Sequence, residues 1–200
     1  MPIEDYSDTE LGAFLKLSQR NAEKFDSYRK YSFLFDKFPE DIRERWLASA
    51  SLDVNEVPIY GTFRSDQHWI LITTRRYIWL DFLSDAGRQS LKYRDMTCAT
   101  AAATAQDPRY PQDVEVYIGD KCPIPGKPPA DYREKYLAPP YDQLMSPNIL
   151  SPWLLLGDRG GRFYEIYVEK GAVVGGTYNN IFEIMTLPGY FDKVHRKYNG

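Results

Sequence analysis

Two segments of this sequence have the pattern of a β-hairpin, and a stretch rich in proline lies between them. The first hairpin covers residues 68–82 with a turn at residues 74–76, and the second covers residues 153–168 with a turn at residues 158–161. In both, short runs of Ile, Leu, Trp, Phe and Tyr flank a polar turn, which is typical of paired antiparallel strands. The sequence therefore predicts antiparallel sheet.

Alternation along the first hairpin also predicts which of its side chains share a face. Successive residues of a strand point to opposite sides of the sheet. We therefore expect four apolar side chains to lie together on one face: Ile70, Ile72, Ile78 and Leu80. Further strands are predicted at residues 57–63 and 90–93, and a helix is predicted at residues 96–103.

Two helices are predicted before the first hairpin. Ser7 and Glu10 have the spacing of a capping box, in which each side chain accepts a hydrogen bond from an amide at the start of a helix. Pro39 suits the first turn of a second helix that ends near Ala50, because an amide there would have no partner within the helix. Residues 1–52 are therefore predicted to form a helical layer.

The segment between the hairpins departs from a minimal domain. Ten of the fourteen prolines lie between Pro108 and Pro152, and each proline removes a backbone donor and restricts the residue before it. The many apolar and tyrosine side chains of this segment indicate a packed insertion rather than a tether. Within it, a strand is predicted at residues 114–118 and a short helix at residues 130–137.

The order of these elements resembles that of a known superfold. After the second hairpin, Thr177 or Asn179 is predicted to cap an amphipathic helix that ends before Pro188. With the strand, basic turn and strand of residues 69–79 and the strand of residues 90–96, this order resembles the pleckstrin-homology-like (PH-like) superfold, in particular bacterial PH-like and GRAM-type domains. The resemblance implies a seven-stranded β-sandwich or open barrel, capped by the C-terminal helix, that binds a protein, a peptide or a lipid headgroup.

The predicted fold class is α+β. A helical N-terminal region at residues 1–52 precedes a PH-like β domain at residues 53–200, which contains the proline- and tyrosine-rich insertion at residues 105–148. A chain of 200 residues, 43% of them hydrophobic, is sufficient for a real core. It has neither an apolar run of about 18 residues nor a signal-peptide pattern, so a cytoplasmic location is expected. Cys98 and Cys122 are expected to be reduced.

The charge distribution bears on the kind of partner. The net charge is -3, and residues 1–56 carry 12 acidic against 8 basic side chains, which is a net charge of -4. The insertion at residues 105–148 carries 7 against 5, a net charge of -2. No dense basic surface is expected, which argues against DNA or RNA as a partner. Acidic surfaces instead favour a basic protein, mainly by raising the association rate.

The leading functional hypothesis is a non-enzymatic protein-binding module. Aromatic side chains are enriched at the energetic centres of interfaces, and the chain has 16 tyrosines. The candidate protein-binding residues are the tyrosines of the insertion: Tyr110, Tyr117, Tyr132, Tyr136 and Tyr141. The same tyrosines also suit a structural role, in which they fasten the insertion to the β domain. The composition is compatible with an immunity-type protein that neutralises a cognate bacterial toxin, with a basic toxin as the partner.

Two alternatives concern the first β segment. One is a peripheral lipid-binding module, in which basic side chains give charge-assisted hydrogen bonds to a phosphorylated headgroup. Its candidate residues are Arg64, His68, Arg75, Arg76, Lys92 and Arg94. The other is a hydrolase or nuclease that acts through His68 or a pair of carboxylates. The sequence has no spacing typical of a metal site, a phosphate-binding loop or a nucleophile with its base, so no metal or cofactor is predicted.

Overall fold

The structure, a computed structural model, combines helices with antiparallel sheets. It describes residues 6–19, 31–82, 85–106, 114–118, 149–167, 171–174, 177–178 and 194. The helices and two sheets within these ranges confirm the α+β class. The chain divides into two compact units, one formed by Met1–Met96 with Gly189–Gly200 and the other by Thr97–Pro188. A domain boundary near residue 52 stays a prediction.

The first helix, α1 (Asp8–Gln19), begins at the predicted capping box. The Ser7 hydroxyl accepts a hydrogen bond from the amide of Glu10 at 3.3 Å, and the Glu10 carboxylate accepts one from the amide of Ser7 at 3.0 Å. These bonds satisfy amides that have no partner within the helix, and they confirm the capping box. Leu11 and Leu15 lie one turn apart, are fully buried and form the inner face of α1.

A short strand and a 3₁₀ turn, which the hydrophobic pattern did not reveal, precede the second helix. Strand β1 (Ser32–Leu34) is followed by the 3₁₀ turn Phe35–Lys37 and by helix α2 (Glu40–Ala50). Pro39 occupies the N-cap position of α2, close to the predicted start. Ser51 ends the helix in the left-handed conformation, with a φ of 51°. The predicted second helix is confirmed, but the N-terminal region is not wholly helical.

Five strands form the first sheet, in the order β1-β2-β3-β4-β5. The strands after β1 are β2 (Pro58–Ser65), β3 (His68–Thr73), β4 (Arg76–Leu80) and β5 (Gln89–Lys92). The first hairpin and the strands predicted at residues 57–63 and 90–93 are therefore confirmed. A 3₁₀ turn, Tyr93–Asp95, follows β5.

The turn of the first hairpin is one residue shorter than predicted, and this changes the register of β4. Ile70 lies opposite Trp79, and Ile72 lies opposite Tyr77. Opposed residues share a face, so both isoleucines lie on the face away from Ile78. A shift of one residue in register moves every side chain of a strand to the other face. The prediction is therefore wrong for the four side chains assigned to one face: Ile70, Ile72, Ile78 and Leu80.

Helix α2 packs on one face of this sheet through Trp46, which is 1% exposed. Its buried neighbours are Phe35, Phe38, Ala50, Trp69, Leu71 and Ile78. The indole lies so close to β2 that a Cβ atom on Gly61 would overlap both the indole ring and the carbonyl oxygen of Ile70. All six residues of β3 are buried, so this strand is covered on both faces.

Six further strands form the second sheet. They are β6 (Met96–Gln106), β7 (Val114–Ile118), β8 (Ile149–Asp158), β9 (Phe163–Tyr167), β10 (Gly171–Val174) and β11 (Thr177–Tyr178). Their order is β11-β10-β8-β6-β7, and β9 pairs with β8. Pairing of β8 with β9 runs from Trp153 opposite Tyr167 to Gly157 opposite Phe163, which confirms the second hairpin. The strand predicted at residues 114–118 is confirmed as β7.

Three helices predicted in this part of the chain have different outcomes. Residues 96–103 lie in β6, so the helix predicted there is wrong; local propensity is weak in this Ala- and Thr-rich segment, and its pairing with β7 prevails. Thr177, a predicted helix cap, lies in β11 instead. The helices predicted after Asn179 and at residues 130–137 lie outside the described residues. Among the described residues, no helix is both long and apolar enough to cross a membrane.

Candidate functional site

Two of the six basic residues predicted to form an alternative anion site, Arg64 and His68, contact other side chains of the fold. The guanidinium carbon of Arg64 lies 4.8 Å from the centre of the Tyr31 ring. His68 is 4% exposed, and its Nδ1 atom is 3.5 Å from the Asp81 carboxylate. The imidazole also contacts the ring of Phe82, with 5.1 Å between the ring centres. A buried imidazole beside a carboxylate is poorly placed to reach a ligand.

Thr73 holds the turn between β3 and β4. Its hydroxyl oxygen accepts hydrogen bonds from the amides of Arg75 and Arg76, at 3.1 and 3.0 Å. The same hydroxyl donates to the Glu56 carboxylate at 2.5 Å. Threonine suits this position because a hydroxyl can donate and accept at once. The two arginines of the turn then reach different carboxylates.

Arg76 forms a buried ion pair with Glu56. Its Nε and Nη2 atoms donate to the two carboxylate oxygens at 3.0 and 2.9 Å, which is a bidentate arrangement. The Glu56 side chain is 0% exposed, and that of Arg76 is 13% exposed. The carboxylate also accepts a hydrogen bond from the amide of Asp53 at 2.9 Å. With the Thr73 hydroxyl, these donors compensate the buried charge of Glu56.

Arg75 joins the turn to the start of α1. Its Nε atom donates to the Asp8 carboxylate at 2.5 Å, and its Nη2 atom donates to the carbonyl oxygen of Tyr6 at 2.7 Å. The Thr74 hydroxyl donates to the same carboxylate oxygen of Asp8 at 2.6 Å and accepts from the amide of Val57 at 3.1 Å. A carboxylate in the first turn is also favoured by the helix dipole. These bonds fix α1 against the hairpin turn.

Tyr93 contacts the same turn from the segment after β5. Its hydroxyl donates to the carbonyl oxygen of Thr73 at 3.1 Å, and its ring centre is 5.7 Å from that of Tyr77. Burial raises the pKa of the Tyr93 hydroxyl well above its ordinary value of 10.0, and Tyr77 and Glu56 raise it further. A negative charge here would be both desolvated and repelled. Tyr93 is therefore a neutral hydrogen-bond donor at physiological pH.

Four of these residues, Asp8, Glu56, Arg75 and Tyr93, border a cavity of about 310 Å³ in the first unit. Its lining consists of Asp8, Asp53, Val54, Glu56, Arg75, Lys92, Tyr93 and Arg94. The residues come from α1, the loop before β2, the turn of the first hairpin, and the end of β5 with the 3₁₀ turn that follows it. The volume lies at the lower end of the range for small-molecule pockets. The structure thus brings three of the six predicted basic residues to one cavity.

Lys92 and Arg94 bring positive charge to this cavity without a strong internal partner. In the part of the chain that the structure describes, the side chain of Lys92 forms no ion pair or hydrogen bond. The Nε atom of Arg94 is 3.7 Å from the Asp95 carboxylate, and both side chains are more than half exposed, at 56% and 51%. Exposed pairs of this kind contribute little to stability. The two cations are therefore not required by the fold.

The outer face of α2 is a second candidate surface. Glu40, Glu44 and Leu47 follow one another at helical spacing and are all exposed, the leucine by 37%. Over the described ranges, Glu40 and Glu44 form no ion pair, whereas the neighbouring Asp41 carboxylate is 3.5 Å from Arg45. We call Glu40, Glu44 and Leu47 the acidic stripe.

The tyrosines predicted as a protein-binding surface lie almost entirely outside the described residues. This applies to Tyr110, Tyr132, Tyr136 and Tyr141. Tyr117 lies in β7, opposite Ala103 of β6. The binding role of these tyrosines stays a prediction.

Sequence reasoning did not single out the carboxylates of the cavity. Asp8 and Glu56 are distant in sequence from Arg75 and Arg76, so that only the folded chain brings them together. One signal was present, because a pair of arginines in the turn of a largely apolar hairpin requires nearby carboxylates if it becomes buried. The net charge of -4 on residues 1–56 indicated an acidic N-terminal region, but it did not identify the exposed stripe on α2.

No group of three or more His, Cys, Asp and Glu side chains among the described residues is placed to hold a metal ion. Comparisons of this chain with protein-family models, with curated proteins and with solved structures found no match.

Proposed function

We propose that this chain is a non-enzymatic protein-binding module that binds a basic partner on the acidic stripe of α2. The observation that carries the proposal is that the stripe combines exposed, uncompensated carboxylates with an exposed apolar side chain. Glu40 and Glu44 are exposed and have no ion-pair partner among the described residues, and they lie beside the exposed Leu47. An apolar contact bordered by charged groups is a common arrangement at protein interfaces. Complementary charge would mainly speed association with a basic surface.

The surroundings of the polar side chains also favour a non-enzymatic role. General acid–base catalysis needs a group that reaches the substrate and titrates near the working pH. His68 is buried beside Asp81, and the Glu56 carboxylate is compensated by its hydrogen-bond donors. The alternative of a hydrolase or nuclease acting through His68 is therefore less favoured than protein binding.

The proposed partner is a basic toxin, with this chain as an immunity-type protein that neutralises it by binding. A toxin that acts on nucleic acid carries a basic surface, which complements the stripe and the net charge of -4 on residues 1–56. The proposal includes a cytoplasmic location. It also includes the PH-like superfold, and the five-stranded sheet with its first hairpin supports that part of the proposal. The tyrosines of the insertion are proposed as a second contact surface.

A peripheral lipid-binding function is the less favoured alternative. Arg76 is engaged by Glu56, and His68 is buried beside Asp81. Of the six basic residues considered for a headgroup, Arg75, Lys92 and Arg94 line one cavity. These three residues would form a smaller anion site than all six together.

The proposal is tested by a pull-down with the tagged full chain from a lysate of its native cells. We expect one protein to be retained in stoichiometric amount and identified by mass spectrometry. With that protein purified, surface plasmon resonance should show association that slows as salt is added. The charge reversal Glu44→Lys should slow association about tenfold. Expression of the partner alone should arrest bacterial growth, and co-expression of this chain should restore it.

Asp85→Lys is the matched control, because Asp85 is an exposed carboxylate in the loop after β4 and its reversal changes the net charge equally. The proposal fails if no protein is retained, or if Glu44→Lys and Asp85→Lys slow association to the same extent. A folded variant that lacks residues 108–148 tests the insertion separately. Loss of the partner in that variant, with Glu44→Lys behaving as wild type, would move the interface from α2 to the insertion.

A further inference from the structure

The inner side of the cavity has balanced charges that serve the fold. The Asp8 carboxylate receives Arg75, and the Glu56 carboxylate receives Arg76. All four side chains are 26% exposed or less. These two pairs therefore leave little net charge on that side for a ligand.

The exposed side of the cavity has cations that the fold does not use. Lys92 and Arg94 lie on either side of the buried Tyr93 in the sequence, and both are exposed. Guanidinium and ammonium groups give charge-assisted hydrogen bonds to phosphate oxygens, the former in a fixed fork and the latter as a compact charge. Two such groups on one cavity form a suitable site for a phosphate.

Asp53 and Val54 line the same cavity and restrict which chemical groups the rest of the ligand can carry. The Asp53 side chain is 63% exposed, and its carboxylate is 3.7 Å from the Nη2 atom of Arg76, which is longer than a hydrogen bond. This carboxylate repels an anion placed next to it, but it can accept a hydrogen bond from a hydroxyl group. Val54 is 89% exposed and offers an apolar contact.

We infer that this cavity binds a phosphate monoester that carries hydroxyl groups, with the phosphate on Lys92 and Arg94 and a hydroxyl group on Asp53. The volume of about 310 Å³ equals that of about ten water molecules, which is enough for glycerol phosphate. This chemistry occurs in free metabolites and in lipid headgroups, and the experiment separates the two sources. The inference does not depend on the acidic stripe or its partner.

Two binding experiments on the full chain test the inference. Isothermal titration calorimetry with glycerol 3-phosphate tests the free source. Co-sedimentation with phosphatidylcholine vesicles that contain phosphatidylinositol 4-phosphate, whose headgroup carries both a phosphate monoester and hydroxyl groups, tests the lipid source. We expect saturable binding in at least one experiment. The double variant Lys92→Gln, Arg94→Gln should weaken it about tenfold or more. Asp53→Ala should weaken the binding of glycerol 3-phosphate, because it removes an acceptor for the hydroxyl group. It should strengthen the binding of inorganic phosphate, because it removes a repelling charge.

The double variant Lys37→Gln, Arg159→Gln is the matched control. It removes the same charge from exposed residues outside the cavity lining and should bind as wild type does. Circular dichroism confirms that each variant is folded. Binding of glycerol 3-phosphate alone assigns a metabolite to the site, and binding of vesicles alone assigns a headgroup. The inference is overturned if wild type binds neither probe, or if the two double variants lose the same affinity.

Discussion

At Tyr93, burial makes the stability of the fold depend on pH. Burial, together with Tyr77 and Glu56, raises the pKa of the Tyr93 hydroxyl well above 10.0. Because the pKa is higher in the folded than in the unfolded chain, the unfolded chain loses this proton first as the pH rises. The stabilisation from Tyr93 is therefore complete below about pH 10 and is lost as the pH rises towards the folded pKa.

We predict that Tyr93→Phe lowers the free energy of unfolding by about 1 kcal/mol at neutral pH, because it removes the hydrogen bond to the carbonyl oxygen of Thr73. Above about pH 10, the difference between wild type and variant should shrink, since phenylalanine has no proton to lose. Urea unfolding of both proteins at a series of pH values measures this difference. A difference that stays constant across the series would contradict the assigned pKa shift.

Local spacing made some individual residues predictable. Ser7 and Glu10 are three residues apart, and their mutual hydrogen bonds need only the start of one helix. The surroundings of His68 and Arg76 depend instead on partners 13 and 20 residues away in the sequence, as the numbering of Asp81 and Glu56 shows. Their burial and pairing therefore followed from the folded chain and not from the local pattern.

The packing of α2 on β2 depends on the absence of a side chain at residue 61. A Cβ atom there would overlap the carbonyl oxygen of Ile70 in β3 and the indole ring of Trp46. The backbone of β3 is held by the sheet, and the indole is packed in the core of the first unit. We predict that Gly61→Ala lowers the free energy of unfolding by about 2–3 kcal/mol, as overpacking of a core does. Urea unfolding measures this loss.

Gly12 of α1 is the matched control for Gly61. A Cβ atom there would meet the Cδ1 atom of Ile59 at 3.5 Å, which is an ordinary contact. Alanine also favours the interior of a helix over glycine by up to about 1 kcal/mol. Gly12→Ala is therefore expected to preserve or raise the free energy of unfolding. If Gly61→Ala lowers the free energy of unfolding no more than Gly12→Ala does, then Trp46 and β3 move to accommodate a methyl group at residue 61.

Strands and helices were predicted best where a periodic pattern was long. Both hairpins and both described helices have such a pattern, and the positions of the hairpins and the starts of the two helices are correct to within a few residues. The register of β4 was missed because residues 73–76 contain no Gly, Asn or Asp, the residues that would distinguish a turn of two residues from one of three. The strand β1 has three residues, and the Ala- and Thr-rich β6 has no clear period, so pairing with β2 and β7 decides their conformation.

For the whole molecule, composition and pattern predicted the α+β class and the acidic N-terminal region. They did not predict the cavity, because its lining comes from four segments that meet only in the folded first unit. The sequence did identify Arg75, Lys92 and Arg94 as candidate ligands of an anion. It could not show that Arg75 is committed to Asp8, whereas Lys92 and Arg94 have no strong partner among the described residues.

The polar network around the cavity joins segments that are distant in sequence. Asp8 and Arg75 connect α1 to the hairpin turn, Glu56 and Arg76 connect the loop before β2 to β4, and Tyr93 binds the carbonyl oxygen of Thr73. Truncating one partner of a buried ion pair leaves the other charge without compensation, whereas removing both avoids that penalty. The stability of the first unit should therefore depend on the pairing of these charges more than on each charge alone.

We predict that Glu56→Gln and Arg76→Met each lower the free energy of unfolding by about 3–5 kcal/mol, because the remaining partner stays buried. The double variant should cost less than the sum of the two, with a coupling energy of about 2 kcal/mol or more. The same cycle with Arg45→Met and Asp66→Asn, an ion pair whose side chains are 51% and 58% exposed, should give about 1 kcal/mol or less. Urea unfolding measures both cycles. Equal coupling energies would mean that burial does not strengthen the Glu56–Arg76 pair.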